Sequence, residues 1–261
     1  MKSLVKKIFG SFGFVVSKKA PEKLPQSIRE EDAPDISEKS RKIFQECQPY
    51  TLISLERIDA IVNSIDFLCK NNISGDIVEC GVWKGGSVYA AVKTLVLNNS
   101  FDRKIYLFDV FEMEAMLSAS NELVEDMDFR GNTAKMLVDK GLLVKDDYKF
   151  QIDEVRTLLE STGYPLENII FKIGRVENTL PCKEIENIAF LRLDTDWYES
   201  TKHELETLYP KLVQKGVLLI DDYGFWQGCR KAVDEYIAEN NLQILLHRTD
   251  FTGRSAIKCN L

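Results

Sequence analysis

The feature that most restricts the fold is a series of short, nearly unbroken apolar runs separated by longer stretches of mixed polarity. The runs are DIVEC (76–80), KIYLFD (104–109), NIIFKI (168–173), IAFLRLD (188–194), GVLLID (216–221), LQILLH (242–247) and RSAIKC (254–259). A strand that is apolar on both faces must be covered on both. Helical pieces fall between most of these runs, so the expected fold is α/β: a doubly wound, mainly parallel, seven-stranded sheet with helices on each side.

The totals agree with that reading. A chain of 261 residues with 44% hydrophobic and 29% charged residues can bury a sizeable core. A formal charge of −7 argues against nucleic acid as a partner. The six cysteines, at 47, 69, 80, 182, 229 and 259, form no C-x-x-C pair. They read as free thiols in a reducing, cytoplasmic setting. With only His203 and His247 present, a Ser-His-Asp triad or a His-rich metal site has little to draw on. His203 is expected on an exposed helix face and His247 just past a strand.

No apolar run reaches membrane-spanning length. The basic and apolar start, MKSLVKKIFGSFGFVVSKK, is broken by Gly10, Ser11 and Gly13 and is followed by lysines. It therefore reads as a surface tail, not a signal peptide. Residues 20 to 40 are rich in proline and charge and read as linker, giving a tail and linker over 1–45 and one domain over 46–261. A homodimer contact, if one forms, is expected in the amino-terminal region. The connection from Asp109 to Asn168 is far longer than a crossover requires. DYKFQIDEVRTLLESTG can supply the crossover helix, whereas EMEAMLSASNELVEDMDF is surplus. An insertion over 110–160, at the carboxyl edge of such a sheet, is expected to be a helical lid.

DIVECGVWKGGSVYAA reads as strand, glycine turn and helix. A phosphate-binding loop would need a lysine after Gly86, where Ser87 stands; a dinucleotide turn would need glycine at 83, where Trp83 stands. What remains is [DE]-x-G-x-x-x-G on Glu79, Gly81 and Gly85, which resembles the cofactor turn of class I S-adenosylmethionine methyltransferases. That cofactor has no phosphate, so no lysine is needed, and glycines let the backbone approach it closely. Asp109, ending the next strand, is placed to accept ribose hydroxyls.

Two further runs end in acids: Asp194 and Asp196 after IAFLRL, and Asp221-Asp222 after GVLLI. Adjacent carboxylates repel, and ending a buried strand with a pair of them is unfavourable without a counter-charge. In a doubly wound sheet the carboxyl ends of neighbouring strands face one crevice. Asp194, Asp221 and Asp222 are therefore expected to converge and to suit a hard cation, Mg²⁺ with Mn²⁺ or Ca²⁺ as alternatives. Thr201 and Glu204 are expected to form a capping box for the following helix.

Together these segments resemble the macrocin O-methyltransferases. The resemblance rests on YTLISLERI, NNISGDIVECGVWKGGS, YLFDVFE, GRVENTLP, RLDTDWYESTKHELETLYPKL, GVLLIDDYGFWQGCRKAVDEY and TGRSAIK, spanning Tyr50 to Lys258. It implies a Rossmann-like class I methyltransferase fold. It also implies Mg²⁺-dependent methyl transfer from S-adenosylmethionine to a hydroxyl of a sugar or glycosylated small molecule. The metal ligands would be Asp194, Asp221 and Asp222. Glu79, Gly81, Gly85, Ser87 and Asp109 would line the cofactor site, Glu177 would lie near the adenine, and Thr51 and Ser54 would close over the methionine end. Catechol enzymes carry a lysine three residues after the first metal aspartate; here Trp197 stands in that place, leaving Asp194 or Asp196 as the catalytic base. A phenolic or catechol acceptor and a non-catalytic cofactor-binding protein are the alternatives.

Overall fold

A computed structural model describes residues 33–111, 126–140 and 152–259. The tail, and the surplus segment EMEAMLSASNELVEDMDF up to residue 125, lie outside the described residues. Helix α1 spans Glu38–Cys47 and α2 Leu55–Lys70. Strand β1 (Asp76–Cys80) leads into α3 (Gly86–Leu97) and β2 (Ile105–Asp109). The long connection holds α4 (Ala134–Asp139) and α5 (Ile152–Glu160) before β3 (Ile169–Ile173). Then follow α6 (Val176–Thr179), β4 (Ile188–Leu193), α7 (Tyr198–Leu208), β5 (Leu212–Ile220), α8 (Gln227–Glu239), β6 (His247–Arg248) and β7 (Arg254–Ile257).

The seven strands form one sheet in the order β3-β2-β1-β4-β5-β7-β6. Strands β1 to β5 run parallel, while β7 pairs antiparallel with β5 and with β6. The expected doubly wound sheet is thus present. The order reverses between β1 and β4, and the crevice outside their carboxyl ends is where such folds bind ligands.

Each face of the sheet carries its own core. Helix α2 buries Ile58, Ile61, Val62, Ile65 and Leu68, one stripe at helical spacing, against β1, α3 and the α5 side, while Leu55 at its start packs with Ala33 and Ile36. Ser54 caps it, its Oγ accepting from Arg57 N at 3.2 Å. The other face packs α7 and α8 over Val78, Leu191, Leu218 and Ile220.

Four details differ from the sequence reading. Residues 33–40 are not linker: Ala33 and Ile36 are buried, and Ser37 caps α1, accepting from Ser40 N at 3.1 Å. The expected strand 242–247 shrinks to His247–Arg248, so His247 lies in a strand and not beyond one. β6 pairs with β7 only through His247–Ser255 and Arg248–Arg254, and the ladder is not continued into 242–246. Strand β5 begins earlier than expected, at Leu212. Thr201 and Glu204 do not cap α7, which starts at Tyr198 and buries both of them. Among the described residues, no helix is long and apolar enough to cross a membrane.

Ile65 is fully buried at the middle of the α2 stripe. Ile65→Ala should lower unfolding free energy by about 2–5 kcal/mol in a urea titration; an unchanged midpoint would mean that α2 does not rest on the sheet as described.

Candidate active site

Three adjacent strand ends build the site. The register sets Cys80 beside Leu193 and Leu193 beside Ile220, so Gly81, Asp194 and Asp221 are successive steps across β1, β4 and β5. Backbone bonds extend past the strands: Asp194 N donates to Cys80 O at 2.8 Å and Asp221 N to Leu193 O at 2.9 Å. Gly81 has φ +82°, and a Cβ there would overlap the Asp194 carbonyl oxygen. The glycine turn and the first acidic loop are therefore in direct contact, which only glycine permits.

The turn is held from behind. Asp109 Oδ2 accepts from Val82 N at 2.6 Å and Trp83 N at 2.8 Å, and its Oδ1 accepts from Phe111 N at 2.8 Å. Gly85, at φ +85°, opens α3. Glu79 and Ser87 are both buried, and Ser87 Oγ donates to Glu79 Oε1, so the pair sits beneath the turn. Thr51 lies over the start of α3, since a Cβ on Gly86 would come within 2.7 Å of its Cβ. Ser54 is occupied as the α2 cap and donates to Asp250 Oδ2 at 2.8 Å. Glu177 pairs with Arg175 at 3.0 Å, in a segment tied to β2 by Gly174 N donating to Asp109 O at 2.9 Å.

Asp194, Asp221 and Asp222 converge, with one oxygen from each lying within 4.8 Å of the others. Two residues missed by the sequence reading organise them. Arg192, only 1% exposed in β4, reaches Glu79 at 2.7 Å, Asp194 at 2.9 Å and Asp221 at 2.6 Å. Arg57 pairs with the other Asp221 oxygen and lies 3.0 Å from Asp250. The sequence did offer a signal, since a lone arginine inside an otherwise apolar strand must find buried carboxylates.

Six carboxylates, on Glu79, Asp194, Asp196, Asp221, Asp222 and Asp250, still face two guanidiniums. Asp222 Oδ2 is buried with no hydrogen-bond partner. A buried carboxyl oxygen without a hydrogen-bond partner, beside two further carboxyl groups, fits a hard divalent cation bound by Asp194, Asp221 and Asp222. Burial and mutual repulsion push Asp194 and Asp222 well above the usual carboxylate range, whereas Arg192 and Arg57 hold Asp221 below it. Burial and the neighbouring Asp194 push Asp196 up to about 7. Asp196 has φ +72°, strained for a non-glycine residue, and its Oδ1 accepts from Trp226 Nε1 at 2.8 Å. Trp226 in turn packs on Trp197, with ring centroids 4.7 Å apart.

The insertion reaches this site through residues 126–133. Asp126 Oδ2 accepts from Tyr198 N at 3.0 Å, so it supplies the cap that α7 lacks from its own sequence. Burial pushes the Asp126 carboxyl above its ordinary range, and backbone hydrogen bonds from Tyr198 and from Gly228, at the start of α8, oppose that shift. A Cβ at Gly228 would overlap this carboxylate. Asp126 thus ties together the starts of the two helices that follow the acidic loops. Gln227 reinforces the junction, with N donating to Met127 O and Nε2 to Asp128 O, both at 2.8 Å. Beside it Phe129 packs against Phe225 and Phe251 at centroid distances of 5.6 and 4.9 Å.

The sequence matches the Macrocin-O-methyltransferase (TylF) family over residues 14–255. The chain belongs to this family. It is an O-methyltransferase. It is 31% identical over 204 residues to the demethyldecarbamoylnovobiocin O-methyltransferase of Streptomyces niveus, covering 78% of this chain and 74% of that one. It is 29% identical, over the same shares of each chain, to the 8-demethyl-8-(2,3-dimethoxy-alpha-L-rhamnosyl)-tetracenomycin-C 4'-O-methyltransferase of Streptomyces olivaceus. The solved structure of the O-methyltransferase NovP superposes with a TM-score of 0.69 at 28% identity, covering 81% of this chain and 83% of that one.

Three substitutions test the geometry of this O-methyltransferase. Gly81→Ala should abolish folding or ligand binding. Gly131→Ala, at φ +79° with nothing near its Cβ, should cost only about 1–2 kcal/mol in denaturant titration. Asp126→Ala should lower stability by about 0.5–2 kcal/mol through the lost caps; an unchanged melting midpoint would show that the insertion does not hold the two helices.

Proposed function

We propose that this O-methyltransferase takes the methyl group from S-adenosylmethionine and, with Mg²⁺ or a similar divalent cation, places it on a hydroxyl of a sugar or glycosylated small molecule. The observation that carries this reading is the orphaned Asp222 oxygen among converging carboxylates, in contact with the glycine turn through Gly81 and Asp194. The sugar follows the relatives, one of which is named for a rhamnosyl-bearing acceptor.

When bound, the two groups supply an electrophilic methyl on a sulfonium and a Lewis acid that eases ionisation of the acceptor hydroxyl. Asp194, Asp221 and Asp222 hold the cation, and Arg192 and Arg57 fix Asp221 so that its oxygens do not swing away. The remaining lone pairs of Asp221 stay available while both arginines are engaged. The Gly81–Gly85 backbone approaches the donor, and Asp109 accepts its ribose hydroxyls. Glu177 borders the base, and Thr51 closes the methionine end, with Ser54 acting through Asp250 and Arg57. Glu79 and Ser87 act from beneath, by keeping the turn and Arg192 in place. Asp196 takes the hydroxyl proton at Oδ2, its Oδ1 being held by Trp226. Positioning of the two reactants can contribute about 7–11 kcal/mol. The Phe129–Phe225–Phe251 cluster gives some support to a second reading, a phenolic acceptor stacked on those rings.

Calorimetric titration of adenosylhomocysteine into wild type and Asp222→Asn tests the assignment. Both should bind it, and only wild type should methylate acceptors in a panel of glycosides and catechols. Wild-type protein that is folded yet fails to bind adenosylhomocysteine would overturn the donor.

The carboxyl shifts also set a pH dependence. Groups raised in the folded state bind more protons there than in the unfolded chain, so stability falls as pH rises through the window between the two values. For Asp196 that window runs from the ordinary carboxylate range to about 7. Metal-free protein should melt at lower temperature at pH 8 than at pH 5, and Mg²⁺ or Mn²⁺ should restore the difference. Asp222→Asn should raise the metal-free midpoint at pH 8 and erase the metal response. A metal response that persists in the variant would remove Asp222 from the ligand set.

A further inference from the structure

Next to the acidic site lies a concentration of the opposite charge. In the antiparallel edge, Arg254 of β7 stands opposite Ile220 of β5 on one side and Arg248 of β6 on the other. Directly opposed residues share a sheet face, so both arginines lie on the face covered by α8. Arg230, in the first turn of α8, completes the group. Tyr223 is its centre, with the Arg254 and Arg230 guanidinium carbons 4.9 and 5.4 Å from the ring centroid. The ring is fixed by its hydroxyl donating to Asp234 Oδ1 at 2.7 Å.

The three guanidiniums bond only to backbone carbonyls among the described residues. Arg230 Nε donates to Tyr223 O at 3.1 Å, Arg248 Nε to Asp250 O at 2.7 Å, and Arg254 Nη1 to Gly253 O at 2.8 Å and, more weakly, to Thr252 O at 3.4 Å. None forms an ion pair among those residues. The nearby carboxylates are already engaged. Asp234 accepts from Tyr223, and Asp250 faces Arg57 and accepts from Ser54 Oγ, Thr252 N and Gly253 N. Burial and the proximity of Arg248 and Arg230 hold the Arg254 guanidinium below its ordinary value. Like charges opposed across strands are destabilising. The mutual repulsion of the three guanidiniums is relieved when an anion joins them. Guanidinium forks match phosphate oxygens better than any other common anion-binding side chain.

The position relates the cluster to the transfer site. Tyr223 directly follows Asp222, and Gly224 N donates to Thr252 O at 2.8 Å, joining the loop after β5 to the loop before β7. Arg254 borders, at the sheet edge, a small cavity that is otherwise lined from the α2 face by Arg57, Ile61, Arg192 and Asp221. We propose that Arg230, Arg248 and Arg254 form an anion subsite for a phosphate or diphosphate carried by the sugar acceptor. The subsite rests on the sugar reading for its purpose, though its binding can be measured without it. It would hold the anionic end of the acceptor while the hydroxyl to be methylated lies at Asp194, Asp221 and Asp222.

The test is calorimetry on the full-length protein in EDTA, so that pyrophosphate cannot act through a bound cation. Inorganic pyrophosphate and uridine diphosphate are titrated into wild type, Arg230→Ala/Arg248→Ala and Arg248→Glu, with adenosylhomocysteine titrated in parallel. Both substituted arginines are exposed, and adenosylhomocysteine binding should be unchanged in each variant. Both probes should bind wild type and weaken at least about tenfold in the double variant, the loss of two charge-assisted contacts. Tighter binding of uridine diphosphate would identify a nucleotide-activated sugar, and equal binding a sugar phosphate. Absence of binding to wild type, or equal binding to all three proteins, overturns the subsite. Pyrophosphate binding that survives without adenosylhomocysteine binding would overturn the methyl donor and leave the subsite standing.

Discussion

The buried guanidinium of Arg192 links every part of the site. It draws Glu79 from β1, Asp194 from the end of β4 and Asp221 from the end of β5 to one point in the sheet. Removing a buried arginine would leave carboxylates without a counter-charge, and breaking a buried pair of this kind costs about 3–5 kcal/mol. The glycine turn and the acidic loops are therefore a single electrostatic unit, not neighbours by accident of topology. Arg57 extends it to α2, so the helix that covers one sheet face also holds an acidic side chain.

The excess of carboxylates that remains is unfavourable for stability and useful for binding. An oxygen left without a partner, a strained Asp196 and an acidic trio are features a protein retains where a ligand completes them. The supports are correspondingly strong. The Trp197–Trp226 pair packs beneath Asp196, and Asp126 braces the helices that follow both acidic loops. That brace comes from the insertion, so the part of the chain expected to cover the acceptor also helps to position the acids beside it.

Much of the fold was legible because burial on two faces leaves an unbroken apolar run, and four of the five parallel strands start within one residue of where those runs begin. The edge was not legible. Residues 242–246 have the composition of a strand, yet a strand also needs a paired neighbour, and the ladder with β7 stops at His247. The start of α7 was misplaced for a similar reason. Its cap comes from Asp126, far away in sequence, so the local Thr201–Glu204 pattern was a false cue. Arg192 was visible as an anomaly in its strand, but its partners could not be read before the strand order was known.

The sequence by itself determined which residue types end the strands, where the backbone must bend through glycine, and the family to which the chain belongs. These are local or additive properties: apolar periodicity, positive φ and the identity of side chains at fixed spacing. The tertiary structure decided which charges meet. Only the register of β1, β4 and β5 places Gly81 against Asp194, and only the antiparallel edge sets Arg248 beside Arg254. Coulomb energy and steric overlap depend on distance in space, and distance in space is what a linear chain leaves unspecified until it packs.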